Sequence, residues 1–234
     1  MLAEHSNGPF FADRSAELLV SEGGRTPLIE RYLAEDQAAV ARLAAGKRAL
    51  ADIGCSDGRY LDLAIEMGID YLGVDISASL VAQGRLRAQR RGASPNRYRF
   101  AAGDASGLSR VLAEAGVEAH ARAAIVIFGF SVLSALDDLD SVAESLRRLG
   151  VPFAATLYET TDAATAMRLD YYRHCGLGPV SVERDDRGVW LRTADYRTLA
   201  PRHAYVTDLF QRHGLSTRIE PMSELGFVCI SEET

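Results

Sequence analysis

Apolar and polar positions along this chain repeat with two different periods, and the order of those periods predicts an architecture. Thr26 and Pro27 suit the N-cap and first turn of a helix running to about Ala45, where Gly46 stops it. Short apolar runs recur at 49–53, 71–75, 98–102, 123–128 and 153–158, each bounded by turn residues. Amphipathic stretches fill the gaps at about 58–67, at 77–91 with Ser77 as cap, and at Leu139–Leu149. Strands alternating with helices of this length predict a parallel sheet with helices on both faces.

The last third breaks that rhythm. Residues 159–178 read as a helix, and Val180–Arg184 with Val189–Tyr196 flank Asp185-Asp186-Arg187-Gly188 as a β-hairpin. A helix over about 201–213 follows, with Pro201 near its start and Gly214 as its stop. Strands at 217–220 and 227–231 come last. With no internal repeat or low-complexity linker, residues 1–234 are expected to form a single domain. Its parts would be a helical cover (1–45), a cofactor-binding core (46–158), a lid insertion (159–200) and a closing helix with strands (201–234).

The chemistry concentrates where the first strand ends. Asp52-Ile53 runs into the loop Gly54-Cys55-Ser56-Asp57-Gly58, and an amphipathic stretch follows at once. Gly54 lets the chain turn sharply off a strand, and Gly58 lets backbone pass close to a ligand at a helix N-terminus. The second strand ends in Asp75, a carboxylate placed to accept hydrogen bonds from ribose hydroxyls. Strand, glycine turn, helix, strand and acid in this order indicate a nucleotide-like cofactor far more specifically than glycines alone. Two other readings fit less well. The loop formally matches G-x-S-x-G, but a hydrolase nucleophile elbow follows several strands and requires no acid at position 75. A dinucleotide fingerprint would need glycines where Ser56 and Arg59 stand. A loop that had lost its ligand would have no use for acids at 52, 75 and 104 together.

These residues resemble the class I S-adenosylmethionine-dependent methyltransferases. Asp52 to Gly58 is similar to the first motif of that family, and Gly73-Val74-Asp75-Ile76-Ser77 to the acidic end of its second strand. Ala102-Gly103-Asp104-Ala105 is similar to its third-strand motif, and the match in spacing holds from about residue 45 to 158. The resemblance implies an α/β, Rossmann-like, seven-stranded and mostly parallel sheet in a three-layer α/β/α arrangement. It places a helical cover at the N-terminus and a lid or hairpin insertion after strand five. It implies S-adenosylmethionine as cofactor, its methionine portion cradled by the backbone of Gly54, Cys55, Ser56 and Gly58. Asp52, with Ser56, would help hold the amino group, Asp75 the ribose hydroxyls and Ile76 the adenine face. Asp104 and the backbone of Ala105 would meet the adenine edge. Ser56 departs from the family pattern, which has glycine there.

The acceptor side rests on residues at the ends of the later strands. Phe128 is assigned to the cofactor, and Phe130, Ser131, Tyr158, Tyr171 and Tyr172 to the substrate. Tyr172 and His174 are the candidate catalytic residues, because a base beside two phenols would serve a hydroxyl acceptor. Arg25, Glu30, Arg31 and Tyr32 flank the start of the first long helix, where a cation or phenol could meet the cofactor carboxylate. His203 is a further candidate for the cleft, whereas His5 and His120 are expected in loops. Phe128-Gly129-Phe130-Ser131 is not the Asn/Asp-Pro-Pro-Tyr/Phe signature of the branches that methylate base amines.

Composition narrows the partners. A formal net charge of −6 speaks against nucleic acid, whose phosphates call for a basic face. No apolar run approaches a membrane span, and the opening MLAEHSNGPFFADR lacks the basic-then-apolar order of a signal peptide. Cys55, Cys175 and Cys229 are far apart and odd in number, so neither disulfides nor a metal site is expected, and a cytoplasmic location is. The expected activity is methyl transfer to a small-molecule metabolite, with homodimerisation left open. The alternative keeps the cofactor but uses its methionine chain, by aminopropyl transfer or intramolecular cyclisation.

Overall fold

A computed structural model describes residues 6–12, 17, 19, 24–114 and 123–232; His5 and His120 lie outside these. Seven strands form one sheet: β1 (Ala49–Ile53), β2 (Asp70–Asp75), β3 (Tyr98–Ala102), β4 (Ala124–Phe128), β5 (Phe153–Tyr158), β9 (Thr217–Pro221) and β10 (Gly226–Ser231). Their order is β3-β2-β1-β4-β5-β10-β9, and only β10 runs antiparallel to its neighbours. Strand order reverses between β1 and β4, so their C-terminal ends diverge into a crevice.

Period two divides the core. Ala51 and Ile53 of β1 join Leu72, Val126, Phe128 and Leu157 on one face, under α6 (Leu139–Leu149) and α8 (His203–Arg212). Leu50 of β1 joins Tyr71, Phe100, Ile125 and Ile127 on the other, under α2 (Pro27–Ala44), α3 (Leu61–Met67) and α4 (Ala78–Arg90). The two N-caps read from the sequence are made, Thr26 accepting from the Ile29 N–H and Ser77 from that of Leu80, and Asp138 caps α6 in the same way by accepting from Ser141. The remaining described helices are α1 (Gly8–Ala12), α5 (Leu108–Glu114) and α7 (Asp162–His174).

Two expectations are corrected. The helix expected from about 58 starts at Leu61, because residues 55–60 are spent on a tight turn with Gly58 N–H and Arg59 N–H both on the Cys55 carbonyl. The expected hairpin is a three-stranded antiparallel sheet of β6 (Ser181–Arg184), β7 (Gly188–Arg192) and β8 (Arg197–Pro201). Residues 189–196 are not one strand, since the Thr193 hydroxyl accepts the N–H groups of Asp195 and Tyr196 and folds the chain back. Pro201 therefore ends β8, and α8 begins at His203. A third apolar cluster lies between this small sheet, α7 and the N-terminal segment, built from Phe10, Tyr32, Tyr158, Met167, Tyr171, Tyr172 and Tyr196.

Helix α4 meets the sheet at Phe100. A Cβ on Gly84 would sit 2.3 Å from that ring, which Gly58 and Gly73 also abut. Alanine for glycine inside a helix ordinarily gains about 1 kcal/mol. Here the sign is expected to invert: Gly84→Ala should destabilise by about 1–3 kcal/mol through overpacking. Chemical denaturation should show Phe100→Leu relieving that loss in the double variant; additive losses would refute the contact as its cause.

Candidate active site

The C-terminal ends of β1, β2, β4 and β5 open on a cavity of about 430 Å³. Its first half is the β1 loop with the acids that follow. Gly54 turns the chain at φ 70°, and a Cβ there would strike Val132 of the opposite wall at 2.6 Å. The N–H groups of Gly54 and Cys55 both donate to the Val74 carbonyl, which pins the loop to β2. Asp75 accepts one backbone N–H on each oxygen, from Ser56 at 2.8 Å and Ser77 at 2.9 Å. Each oxygen keeps lone-pair capacity for a further donor. Burial raises the Asp75 carboxyl above its usual value, and those two bonds draw it back down.

The second half is aromatic. Phe130, Tyr158, Tyr171, Tyr172 and Tyr196 line it, with Phe11 from the N-terminal segment. Phe130 meets Tyr158 and Tyr171 edge-on, with centroids 6.3 and 5.9 Å apart, and the Arg59 guanidinium stacks on its ring at 4.4 Å. Among the described residues, three non-glycines have positive φ: Ser56 (55°), Phe130 (49°) and Ser131 (59°). All three line this cavity. Such conformations cost about 1–3 kcal/mol each, so the surrounding bonds must hold them. Ser56 thus occupies the left-handed backbone that explains the glycine of the family pattern.

One carboxylate supplies much of that hold. Asp36 of α2 is wholly buried and accepts from the Tyr60 hydroxyl at 2.5 Å, the Phe130 N–H at 3.0 Å and the Thr156 hydroxyl. It ties the cover helix to the β1 loop and to the ends of β4 and β5. A Cβ on Gly129 would collide with the Tyr60 hydroxyl, so the chain can pass there only as glycine.

The cavity gathers most of the residues anticipated from sequence: Gly54, Ser56, Asp75, Ile76, Asp104, Ala105, Phe130, Ser131, Tyr158, Tyr171 and Tyr172. Others fall elsewhere. Phe128 is core, Cys55 is buried against Gly73, and Gly58 faces Phe100. His174 is not brought to the cavity: its exposed ring bonds the Asp170 carbonyl on the last turn of α7. His203 pairs with Glu159 at 2.9 Å and lies on Phe227. Arg25 and Glu30 are exposed, Arg31 pairs with Glu224, and Tyr32 packs on Tyr158. Asp52 is buried beneath the loop, where the Tyr71 hydroxyl donates to it at 2.7 Å and its other oxygen has no partner. Sequence reading missed Asp36, Arg59 and Arg168. Each carried a signal, because Asp36 and Arg168 stand within apolar helical stripes and Arg59 is a cation before a helix N-terminus, where an anion is favoured.

A seven-stranded sheet in this order, with the crevice lined by the β1 loop and Asp75, has the fold of class I methyltransferases. Residues 51–152 match the family model described as a methyltransferase domain. No curated protein matches the sequence. Among solved structures it is similar to a protein of Pyrococcus horikoshii OT3, at 16% identity over 97% of this chain and 96% of that one, TM-score 0.64. It is also similar to magnesium protoporphyrin IX methyltransferase of Synechocystis PCC 6803, at 15% over 97% of each chain, TM-score 0.61. A third is the Burkholderia thailandensis 1,6-didemethyltoxoflavin-N1-methyltransferase, at 15% over 87% and 78%, TM-score 0.56. No helix among the described residues is long and apolar enough to cross a membrane, and none of their acid, histidine and cysteine clusters could hold a metal.

Burial pushes the Asp52 carboxyl from an ordinary 3.8 up to about 7. A raised carboxyl holds its proton longer in the folded chain than in the unfolded one. Stability is then greatest below the unfolded value and falls as pH rises through about 7. Asp52→Asn keeps the shape and removes the charge. Its melting temperature relative to wild type should therefore climb between about pH 4 and 7, by at most about 4 kcal/mol in stability. Thermal melts with a pH-independent difference would refute the shift.

Proposed function

We propose that this protein transfers the methyl group of S-adenosylmethionine to a small molecule. One observation carries the reading: a single cavity joins the β1 loop and Asp75 to a pocket walled by phenols. The cofactor, when bound, supplies a methyl group activated by its sulfonium. The residues present fit it. The unsatisfied capacity of Asp75 suits the two ribose hydroxyls, and Ile76, Leu80 and Ala105 give an apolar slot for adenine. The Ser56 hydroxyl is buried without a partner on the cavity wall, as a polar ligand there would require. Arg59, beside the loop, supplies a cation for the methionine carboxylate. Asp104 stands at the rim for the adenine edge.

The rest of the reading concerns position. Phe130, Ser131, Tyr158, Tyr171 and Tyr172 face the acceptor and exclude water, and residues 159–200 serve as its lid. Because the leaving group is already activated, orientation and a dry site supply most of what the reaction needs. His174 is not required as a base, and Tyr172 is retained as an acceptor contact. The net charge of −6 favours a small acceptor over nucleic acid.

Calorimetry should show S-adenosylhomocysteine binding to wild type and at least about tenfold weaker binding to Asp75→Ala, since each lost hydrogen bond to a charged group is worth about 1.5–3 kcal/mol. Unchanged affinity in the folded variant would remove Asp75 from the site. Mass spectrometry separates the two uses of the cofactor. Methyl transfer yields S-adenosylhomocysteine only when an acceptor is present. Enzyme-dependent methylthioadenosine from cofactor alone would instead establish attack on the methionine chain.

A further inference from the structure

We propose that the acceptor is a planar ring bearing an anionic oxygen, an acidic phenol or a ring carboxylate, favoured by the buried charge of Arg168. The inference rests on the methyl-transfer reading and names the substrate class for the same cavity.

Arg168 lies on α7 directly behind the aromatic wall, with no exposure to solvent. Its guanidinium sits 5.1 Å from the centre of the Tyr158 ring and donates to the carbonyls of Val189 and Thr198. Its Nε has no partner, and no ion pair among the described residues involves it. Tyr158 and Thr198, which it contacts, both line the cavity. A guanidinium buried without a carboxylate carries a large desolvation penalty. Two carbonyl bonds between β7 and β8 could be made by a neutral donor, so they do not account for a charge. A negative partner arriving in the cavity would.

The shape of the wall and its lack of bases agree. Phe130, Tyr158, Tyr171 and Tyr172 present ring faces and edges, which suit a flat ligand. Phenols alone would also suit a cation, but Arg168 behind them and Arg59 on Phe130 oppose one. No histidine among the described residues lines the cavity, and burial holds the phenols of Tyr158, Tyr171 and Tyr196 above their ordinary values, so they stay protonated at neutral pH. Four acids lie on the cavity wall: Asp75 holds the loop, Asp104 stands beside Gly103 and Ala105 at the end opposite the aromatic wall, Asp137 accepts from the Asn7 N–H, and Asp138 caps α6. An acceptor that has already lost its proton to water needs no base. Its oxygen lone pair forms the carbon–oxygen bond as the methyl–sulfur bond breaks and that pair remains on sulfur. A positive sulfonium and a negative oxygen become two neutral groups.

The test uses full-length protein saturated with S-adenosylhomocysteine at about pH 8, where 4-nitrophenolate and benzoate are anions and benzylamine is a cation. Titration should show one or both anions binding at least about tenfold tighter than benzylamine, with neutral benzamide between. Which anion binds tighter separates the phenol from the carboxylate. Arg168→Met should remove most of the anion preference and leave benzamide within about twofold, whereas a purely structural role would weaken all probes together. Arg168→Lys should retain the preference. Benzylamine binding as tightly as the anions, or an undiminished preference in folded Arg168→Met, would overturn the proposal. Should Arg168→Met fail to fold, the wild-type ranking decides alone. Failure of S-adenosylhomocysteine itself to bind would instead count against the methyl-transfer reading.

Discussion

The cavity exists in its present form because one carboxylate is buried where three segments meet. Asp36 reaches from α2 into the space between the β1 loop and the ends of β4 and β5, and each of its three bonds fixes a different segment. Removing it would leave two hydroxyls and a backbone N–H without the partner they share, so its loss would be felt as several unmet donors. The Phe130 backbone, left-handed at φ 49°, is held from one side by this bond. Its ring is then free to support Arg59, and Tyr60 is clamped over Gly129.

The two halves of the cavity differ in how local their causes are. The loop half is made by two short segments that adjacent strands bring together: Gly54 turns, Ser56 donates to Asp75, and Asp75 accepts from Ser77 two positions on. Those contacts join the β1 loop to the end of β2, and the end of β2 to the residues that follow it. The aromatic half draws on Phe11, Phe130, Tyr158, Tyr171 and Tyr196, which lie far apart in the chain and converge only once the small sheet packs against β5 and α7.

That difference governs what could be read in advance. The glycine turn, the strand-ending acid and the helix caps each depend on neighbours within a few residues, so their signals survive in the linear order. β8 was not legible because Thr193 acts through a side-chain turn, and 189–196 otherwise reads as one extended run. His174 looked chemical beside two phenols. Helical geometry settles its direction, since Tyr171 and Tyr172 take the buried stripe of α7 and place a residue two positions later on the outside. Asp36 and Arg168 are informative for the opposite reason. Polar residues in apolar stripes break the local rule, and such breaks collect where function or a buried network demands them.

The similar structures sharpen this division. They share 15–16% identity with this chain across nearly its whole length or most of it, and the substrates named for two of them, a porphyrin and a toxoflavin precursor, have little in common. A shared fold at that level of divergence leaves function to the residues grafted on it. On the proposed reading the acceptor face depends on the placement of rings by β8 and α7, and on the charge that Arg168 holds against the carbonyls of β7 and β8. On the same reading, specificity is set by the insertion after β5 and by the described N-terminal residues that line the cavity beside it. Both can change their side chains without disturbing the bonds that Asp36 and Asp75 make.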